Sequence, residues 1–495
     1  MALVRTRNPS RYKAASAGGG GTVDWDAKYT TAIDANNTGD TYWVTTTGSN
    51  GNSGADVDNG FADILYAVQQ MSGGDELIVA DGTYTDNISM RANDNTSLGG
   101  GQTIPNGVSH TQRTIIRAEN PFGVIIEFNS GSTNLTAEGN PFRLETATYV
   151  WVDGFIVRMF GNYSNNSGDP STCFWINSDN NTITRCGARK NTNTDFGGGF
   201  SLTGDDVLAQ DIFGCGATRY GIQGGGGLSS TQQNSIFRRC LWRFDFDQTS
   251  DPQPHASIAY YGSSSNSNGD HEFQNCIAID GKKHEEFSNS TDVYGGIYST
   301  HSPTDVKYRG CIVLNNEARF AGIYLGEVGA DDMDVVDCLI LNDGGGADTP
   351  YAISAASSVT NQSTTNVTVG NFDGGTYSAN VTTPTNDLVL PDTPDSENPL
   401  VRVAGDGCEI KDCIGTFMSR YGDTDYTVAQ SDLPLWPYPY EDEIKTEMAI
   451  AMATPSGYTP ASNDSDRGFC ASGQNLTKYI HEFRGATLNL TSFYS

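Results

Sequence analysis

HEFQNCIAID (271–280), VKYRGCIVLNN (306–316) and MDVVDCLILND (333–343) repeat one pattern: an apolar residue, two residues of varying kind, a cysteine and an apolar run. The frame recurs in TITRCGA (182–188), IFRRCLW (236–242) and CEIKDCIGTF (408–417), with Ile183, Phe237, Phe273, Tyr308, Val335 and Ile410 three residues before the cysteine. Two further units, VWVDGFIV (150–157) and VLAQDIFG (207–214), place Phe155 and Ile212 where the cysteine would stand. From 155 to 338 the units are spaced 31, 26, 28, 36, 35 and 27 residues apart. A second short apolar segment precedes most units: FRLE from Phe142, FWIN from Phe174, GFSLTG from Gly199, GGIYST from Gly295 and AGIYLG from Ala321. Between them lie Asn, Asp and Gly, which turn a chain at little steric cost. Two or three strands per repeat, with no helical crossover between them, predict a parallel β-helix whose coils stack about 4.8 Å apart.

Stacking gives the cysteines a physical role. One register position repeated in successive coils forms a ladder into a dry interior, where a free thiol acts as a small hydrophobe. Parallel side chains aim their sulfurs alongside one another rather than together, so the expectation is a reduced ladder through Cys240, Cys276, Cys311 and Cys338.

The remaining composition agrees with short strands and many turns. The chain has 495 residues, 57 of them Gly, and only 18% are charged. Lys and Arg number 29 against 59 Asp and Glu, a net charge of -30, which repels phosphate backbones and anionic lipid and predicts no nucleic-acid partner. No apolar run is long enough for a membrane-spanning helix, so no membrane insertion is expected. The first residues, MALVRTRNPSRYKAASAGGGG, carry Arg5, Arg7, Arg11 and Lys13 and no acid, and no apolar stretch follows the charges as it would in a secretory signal. They read as an arm hinged at Gly18–Gly21.

An open solenoid needs caps at its ends. Phe61, Ile64, Leu65, Val68 and Met71 fall at helical spacing and predict a helix across the first coil. YWVTTTGSNGNSG from Tyr42, this helix, GGDELIVADGTYTDNISM from Gly73 and TIIRAENPFGVIIEF from Thr114 resemble the opening of right-handed β-helix proteins of the pectate-lyase-like superfamily, secreted and viral. That resemblance implies the fold and brings no catalytic motif with it. Towards the other end, LPLWPYPYEDEIKTEMAIAMA from Leu433 reads as a connector running into a helix with Ile444 and Met448 on one face and Trp436 over the last coil. With GFCASGQNLTKYIHEFRG from Gly468 it resembles a closing segment of bacterial β-helix repeat proteins. The predicted organisation is an all-β, right-handed parallel β-helix with an N-terminal helical cap and a small C-terminal helical cap. Residues 1–40 form the arm, 41–430 the solenoid, with 344–407 as an insertion or irregular coils, and 431–495 the C-terminal cap.

The segments just after the cysteine strands carry a run of ionisable residues: Arg189 and Lys190, Arg219, Arg243 with Asp245 and Asp247, Lys282 with Lys283, His284, Glu285 and Glu286, then Glu317 and Arg319. Stacked in register they form a stripe of mixed charge beside Trp242, Phe246 and Phe320, a combination suited to carbohydrate. Arg219, Asp245, Lys282, His284, Arg319 and Trp242 are therefore the expected glycan-binding residues. Glycoside hydrolysis requires two carboxylates, about 6.5–9.5 Å apart for inversion, and two coils separate Asp247 from Glu317, which makes them the candidate catalytic pair. Eliminative cleavage would instead need a base such as Lys190 or Lys282 and suits Ca²⁺, for which Asp245, Asp247 and Asp251 are candidate ligands. The doublet Asp205–Asp206 sits in a turn, where such pairs are common, and turns are also where a β-helix keeps its charges.

The expected function is that of a virion-associated surface appendage, similar to a bacteriophage tailspike or fibre. It would be a homotrimer that binds host-surface polysaccharide, with depolymerisation of it as a further expectation, joined to other assembly proteins by Arg5, Arg7, Arg11 and Lys13, and located at a virion surface or outside the cell. The alternatives are a secreted polysaccharide lyase or glycoside hydrolase and a non-catalytic adhesin or structural β-helix.

Overall fold

The computed structural model describes residues 25–85, 90–91, 104–129, 141–160, 172–191, 198–216, 220–225, 234–245, 256–261, 271–282, 295–300, 304–314, 321–326, 331–336, 338–341, 351–354, 360–365, 368–370, 438–450 and 468–483. Their strands form three sheets of eleven, ten and nine strands. Every pairing is parallel, and neighbours within a sheet come from successive coils. This is a right-handed parallel β-helix.

The repeat frame is the stacking register. Val152, Ile183, Ala209, Phe237, Phe273, Tyr308 and Val335 are successive Cα partners in the eleven-stranded sheet, and all are buried. Phe237 stacks on Phe273 at 4.8 Å and Phe273 on Tyr308 at 5.3 Å. Across the interior, the nine-stranded sheet contributes Phe142, Phe174 and Phe200, with centroid separations of 5.3 and 4.8 Å.

The eight described cysteines are buried and free. In the ladder each thiol donates to a carbonyl of the coil before it: Cys276 to Phe237 at 3.3 Å, Cys311 to Phe273 at 3.2 Å and Cys338 to Tyr308 at 3.6 Å. Burial pushes the Cys276 and Cys311 thiols well above the ordinary thiol range.

One residue turns the chain from the eleven-stranded to the ten-stranded sheet. It immediately precedes the cysteine position and has a positive φ in coil after coil: Gly154 at 87°, Arg185 at 47°, Asp211 at 56°, Arg239 at 46°, Asn275 at 52° and Gly310 at 60°. A left-handed residue costs roughly 1–2 kcal/mol unless it is Gly, Asn or Asp, so Arg185 and Arg239 need compensation from their surroundings. They have it in Asp153 and Asp211, which accept from Arg185 and Arg239 at 2.5 Å.

Among the described residues, four α-helices attach to the coils. Helix α1 (Trp25–Asn36) packs Tyr29 and Ile33 on Ile115, Trp151, Leu208 and Ile236 of the eleven-stranded sheet. These residues thus belong to the body, although the sequence groups them with the arm. Helix α2 (Ile64–Gln70) places Ile64, Ala67 and Val68 in the main core beside Val44 and Leu77 at the first coils. Helices α3 (Glu441–Met448) and α4 (Leu476–Phe483) lie elsewhere than expected. They run along the flank of the solenoid, burying Ile444, Met448, Leu476 and Ile480 against Ile156, Phe213, Leu241, Ile277 and Ile312 of the ten-stranded sheet. Trp436 lies outside the described residues. Strands at Tyr351–Ser354, Thr360–Thr365 and Thr368–Gly370 extend all three sheets into the stretch the sequence marks as irregular, so its first part is an ordinary coil.

Candidate functional site

Four residues expected on or beside the charged stripe are buried: Trp242, Arg189, Arg243 and Lys190. Trp242, expected to stack on a sugar, points into the core and is 0% exposed. Its indole N–H donates to the Gly216 carbonyl at 3.1 Å. A Cβ at Gly199, Gly214 or Gly221 would come within 2.0–2.3 Å of the ring, so these glycines leave the space the indole fills. Strand alternation explains the misreading, because Trp242 shares its register with Ala188 and Ala278, which face inward, and the charged neighbour Arg243 does not.

Arg189 and Arg243 face outward, yet both are covered. Arg158, Arg189, Cys215 and Arg243 are successive partners in the ten-stranded sheet. Helix α3 ends on them: Arg189 donates to the carbonyls of Glu447 and Ile450, and Arg243 donates to that of Met448 at 3.1 Å. Arg158 holds the Glu447 carboxylate through two bonds of 2.7–2.8 Å, which raises its pKa further. The last carbonyls of a helix lack intrahelical partners and carry its negative dipole end, so the Arg189 and Arg243 guanidiniums, two coils apart, satisfy them while Arg158 holds the Glu447 side chain. These arginines serve docking. Lys190, proposed as a base, is also buried, at 1% exposure.

Asp205 and Asp206 form a stacked turn. The Asp205 N–H donates to Asp179 of the preceding coil at 2.9 Å, and Asn180 and Asp206 both have positive φ. This hydrogen bonding matches a structural turn.

Asp245 and Lys282 are backbone partners at the ends of adjacent strands, beyond a bulge after Arg243. Arg219, Asp247, Asp251, His284, Glu317 and Arg319 lie outside the described residues, as do Arg5, Arg7, Arg11 and Lys13. Along the chain, Arg219, Asp247, His284, Glu317 and Arg319 fall in segments that lead from the ten-stranded to the nine-stranded sheet. Among the described residues, no group of three or more His, Cys, Asp or Glu could hold a metal ion.

The nine-stranded sheet is the face these segments enter. Neither the cluster under α1 nor the cluster under α3 and α4 contains any of its residues. Its strands alternate buried and half-buried positions, as in Phe142–Arg143–Leu144, Phe174–Trp175–Ile176 and Phe200–Ser201–Leu202. The half-buried positions are in register: Arg143, Trp175, Ser201 and Gln223 are successive partners, and the next partner, Ala259, is fully buried. The Arg143 guanidinium lies 4.7 Å from the Trp175 ring centroid and pairs with Glu145. This row combines an aromatic surface, a fixed cation and amide and hydroxyl groups at one step per coil. The sequence contained these residues, but FRLE, FWIN and GFSLTG read only as core-forming strands until the fold showed which residue of each triplet faces out.

Compared with known protein families and with curated protein sequences, the chain matches none. Solved structures of similar architecture include pectate lyase Pel9A, at 14% identity over 69% of this chain and 82% of that one, with a TM-score of 0.37. Tailspike protein 2 of an Escherichia coli O157:H7 bacteriophage is similar at 11% identity over 62% of this chain and 35% of its own, with a TM-score of 0.38. The A-module of an Azotobacter vinelandii mannuronan C-5 epimerase is similar at 10% identity over 64% and 96%, with a TM-score of 0.33.

Proposed function

We propose that this protein binds an extended polysaccharide along the outward face of the nine-stranded sheet and does so as a surface appendage of a virion. The observation that carries the binding reading is the row Arg143, Trp175, Ser201, Gln223 on the face where, among the described residues, no helix packs. A solenoid presents one such position about every 4.8 Å, close to the repeat of a sugar chain, so successive coils can meet successive residues. At a net charge of -30, neutral or cationic sugars are favoured unless Ca²⁺ bridges a uronate to Asp245 and Asp247.

The appendage setting rests on the basic arm, whose Arg5, Arg7, Arg11 and Lys13 can pair with carboxylates of an assembly protein, and on the Asn-, Thr- and Gly-rich composition. A homotrimer is part of that proposal. Asp247 and Glu317, two coils apart in segments entering the nine-stranded sheet, are the proposed pair for hydrolysis.

The test is affinity electrophoresis in gels containing host capsule or lipopolysaccharide, with reducing-end release measured alongside. Retardation lost in Trp175→Ala and kept in Asp247→Asn and Glu317→Gln is expected, with release abolished in the latter two. Retardation unchanged in Trp175→Ala would remove the nine-stranded face from the reading. Release unaffected by both carboxylate variants would place the chemistry elsewhere. Light scattering that gives a monomer would remove the trimer.

A further inference from the structure

Both ends of the described chain meet on the ridge of left-handed residues. At the start of α1, the Arg239 guanidinium lies 4.0 Å from the centroid of the Trp25 ring, and Arg185 lies 4.2 Å from that of Tyr29. The Tyr29 hydroxyl donates to Asp211 at 2.5 Å and accepts from Gln210 at 2.8 Å. From the other side, the Tyr438 hydroxyl, just before α3, donates to the Arg239 carbonyl at 2.5 Å. One residue joins all three parts: Asp26 of α1 accepts from Arg185 of the ridge at 3.0 Å and from the Tyr440 hydroxyl at 2.9 Å.

The backbone supports the same reading. Tyr440 has φ 61° and no side-chain cap for α3, and its ring packs edge-on at 5.3 Å against Phe122, whose φ is 63°. Bulky residues avoid that region and persist there where several contacts over-determine them. Here those contacts hold the Tyr440 ring against Phe122 and its hydroxyl on Asp26.

We propose that α1 and the C-terminal helices form a single clasp closed across the ridge through Asp26 and Tyr440, so that loosening either end loosens the other. Trp25 sits on Arg239, at the corner between the eleven- and ten-stranded sheets.

Native-state hydrogen exchange on the full chain tests the clasp, because coupling between two segments must be reciprocal. Asp26→Ala and Trp25→Ala should speed exchange about tenfold in residues 441–448 as well as in 25–36, while strands at 182–184 and 208–210 keep their protection. Tyr440→Phe, which removes one hydroxyl and keeps the ring, should in turn speed exchange in 25–36. Exchange that rises only in the substituted segment, in both directions, would overturn the clasp. Should Trp25→Ala unfold the chain, Tyr440→Phe still decides the question.

Discussion

Trp242 offers a sharp test because an exposed sugar platform and a buried core residue predict opposite outcomes. Truncating a fully buried tryptophan costs about 3–5 kcal/mol, against a typical total stability of about 5–15 kcal/mol. Trp242→Ala also leaves the Gly216 carbonyl without its 3.1 Å donor, which places the expected loss toward the upper part of that range. The glycines provide an internal control. In Gly221→Ala the new Cβ would lie 2.3 Å from the indole, an overpacking worth about 1–3 kcal/mol. Combined with Trp242→Leu, the same alanine should cost far less, since the clashing ring is gone and methyl and cavity compensate each other. Urea denaturation followed by far-ultraviolet circular dichroism gives the three differences, and affinity electrophoresis gives glycan binding. Additive losses from Gly221→Ala and Trp242→Leu would refute the packing argument. Trp242→Ala with unchanged stability and abolished glycan binding would return the residue to the surface.

Cys311→Asp should cost several kcal/mol by burying an unpaired carboxylate in the thiol ladder, whereas Cys311→Val should cost little. Equal tolerance would contradict the register. Of ten cysteines eight are buried and free, so Ellman's reagent should reach at most Cys408 and Cys413 before unfolding. Arg239→Met strands Asp211 at 2% side-chain exposure and should destabilise by about 3–5 kcal/mol, with Asp211→Asn/Arg239→Met recovering part of the loss in the same denaturation assay. Partial burial and then the neighbouring Arg113 lower the His110 pKa from 6.5 to about 4. The unfolded chain therefore binds a proton that the folded chain refuses. Stability held above pH 6.5 should fall as the pH drops toward 4, and His110→Gln should flatten that slope in thermal melts between pH 7 and pH 5. An unchanged slope would mean that His110 protonates freely in the fold.

The sequence by itself determined the solenoid. An apolar residue three before each cysteine can recur over spacings of 26 to 36 residues only if each repeat returns the chain to the same register, and Ile183, Phe237, Phe273, Tyr308 and Val335 do stack. Helix α2 was readable from the local spacing of Ile64, Leu65 and Val68, although Phe61, counted with it, instead bridges Val44 ahead of the helix. What only the tertiary structure decided was facing and contact. A triplet such as Phe142–Arg143–Leu144 has the same sequence whether its middle residue points to solvent or lies under a helix, and Arg243, outward on the ten-stranded sheet, is covered because α3 arrives there. Charge after a cysteine strand was therefore a poor guide to exposure. The long-range contacts that cover Arg158, Arg189 and Arg243 come from residues 205 to 289 positions away, a separation over which no periodicity or local propensity carries information.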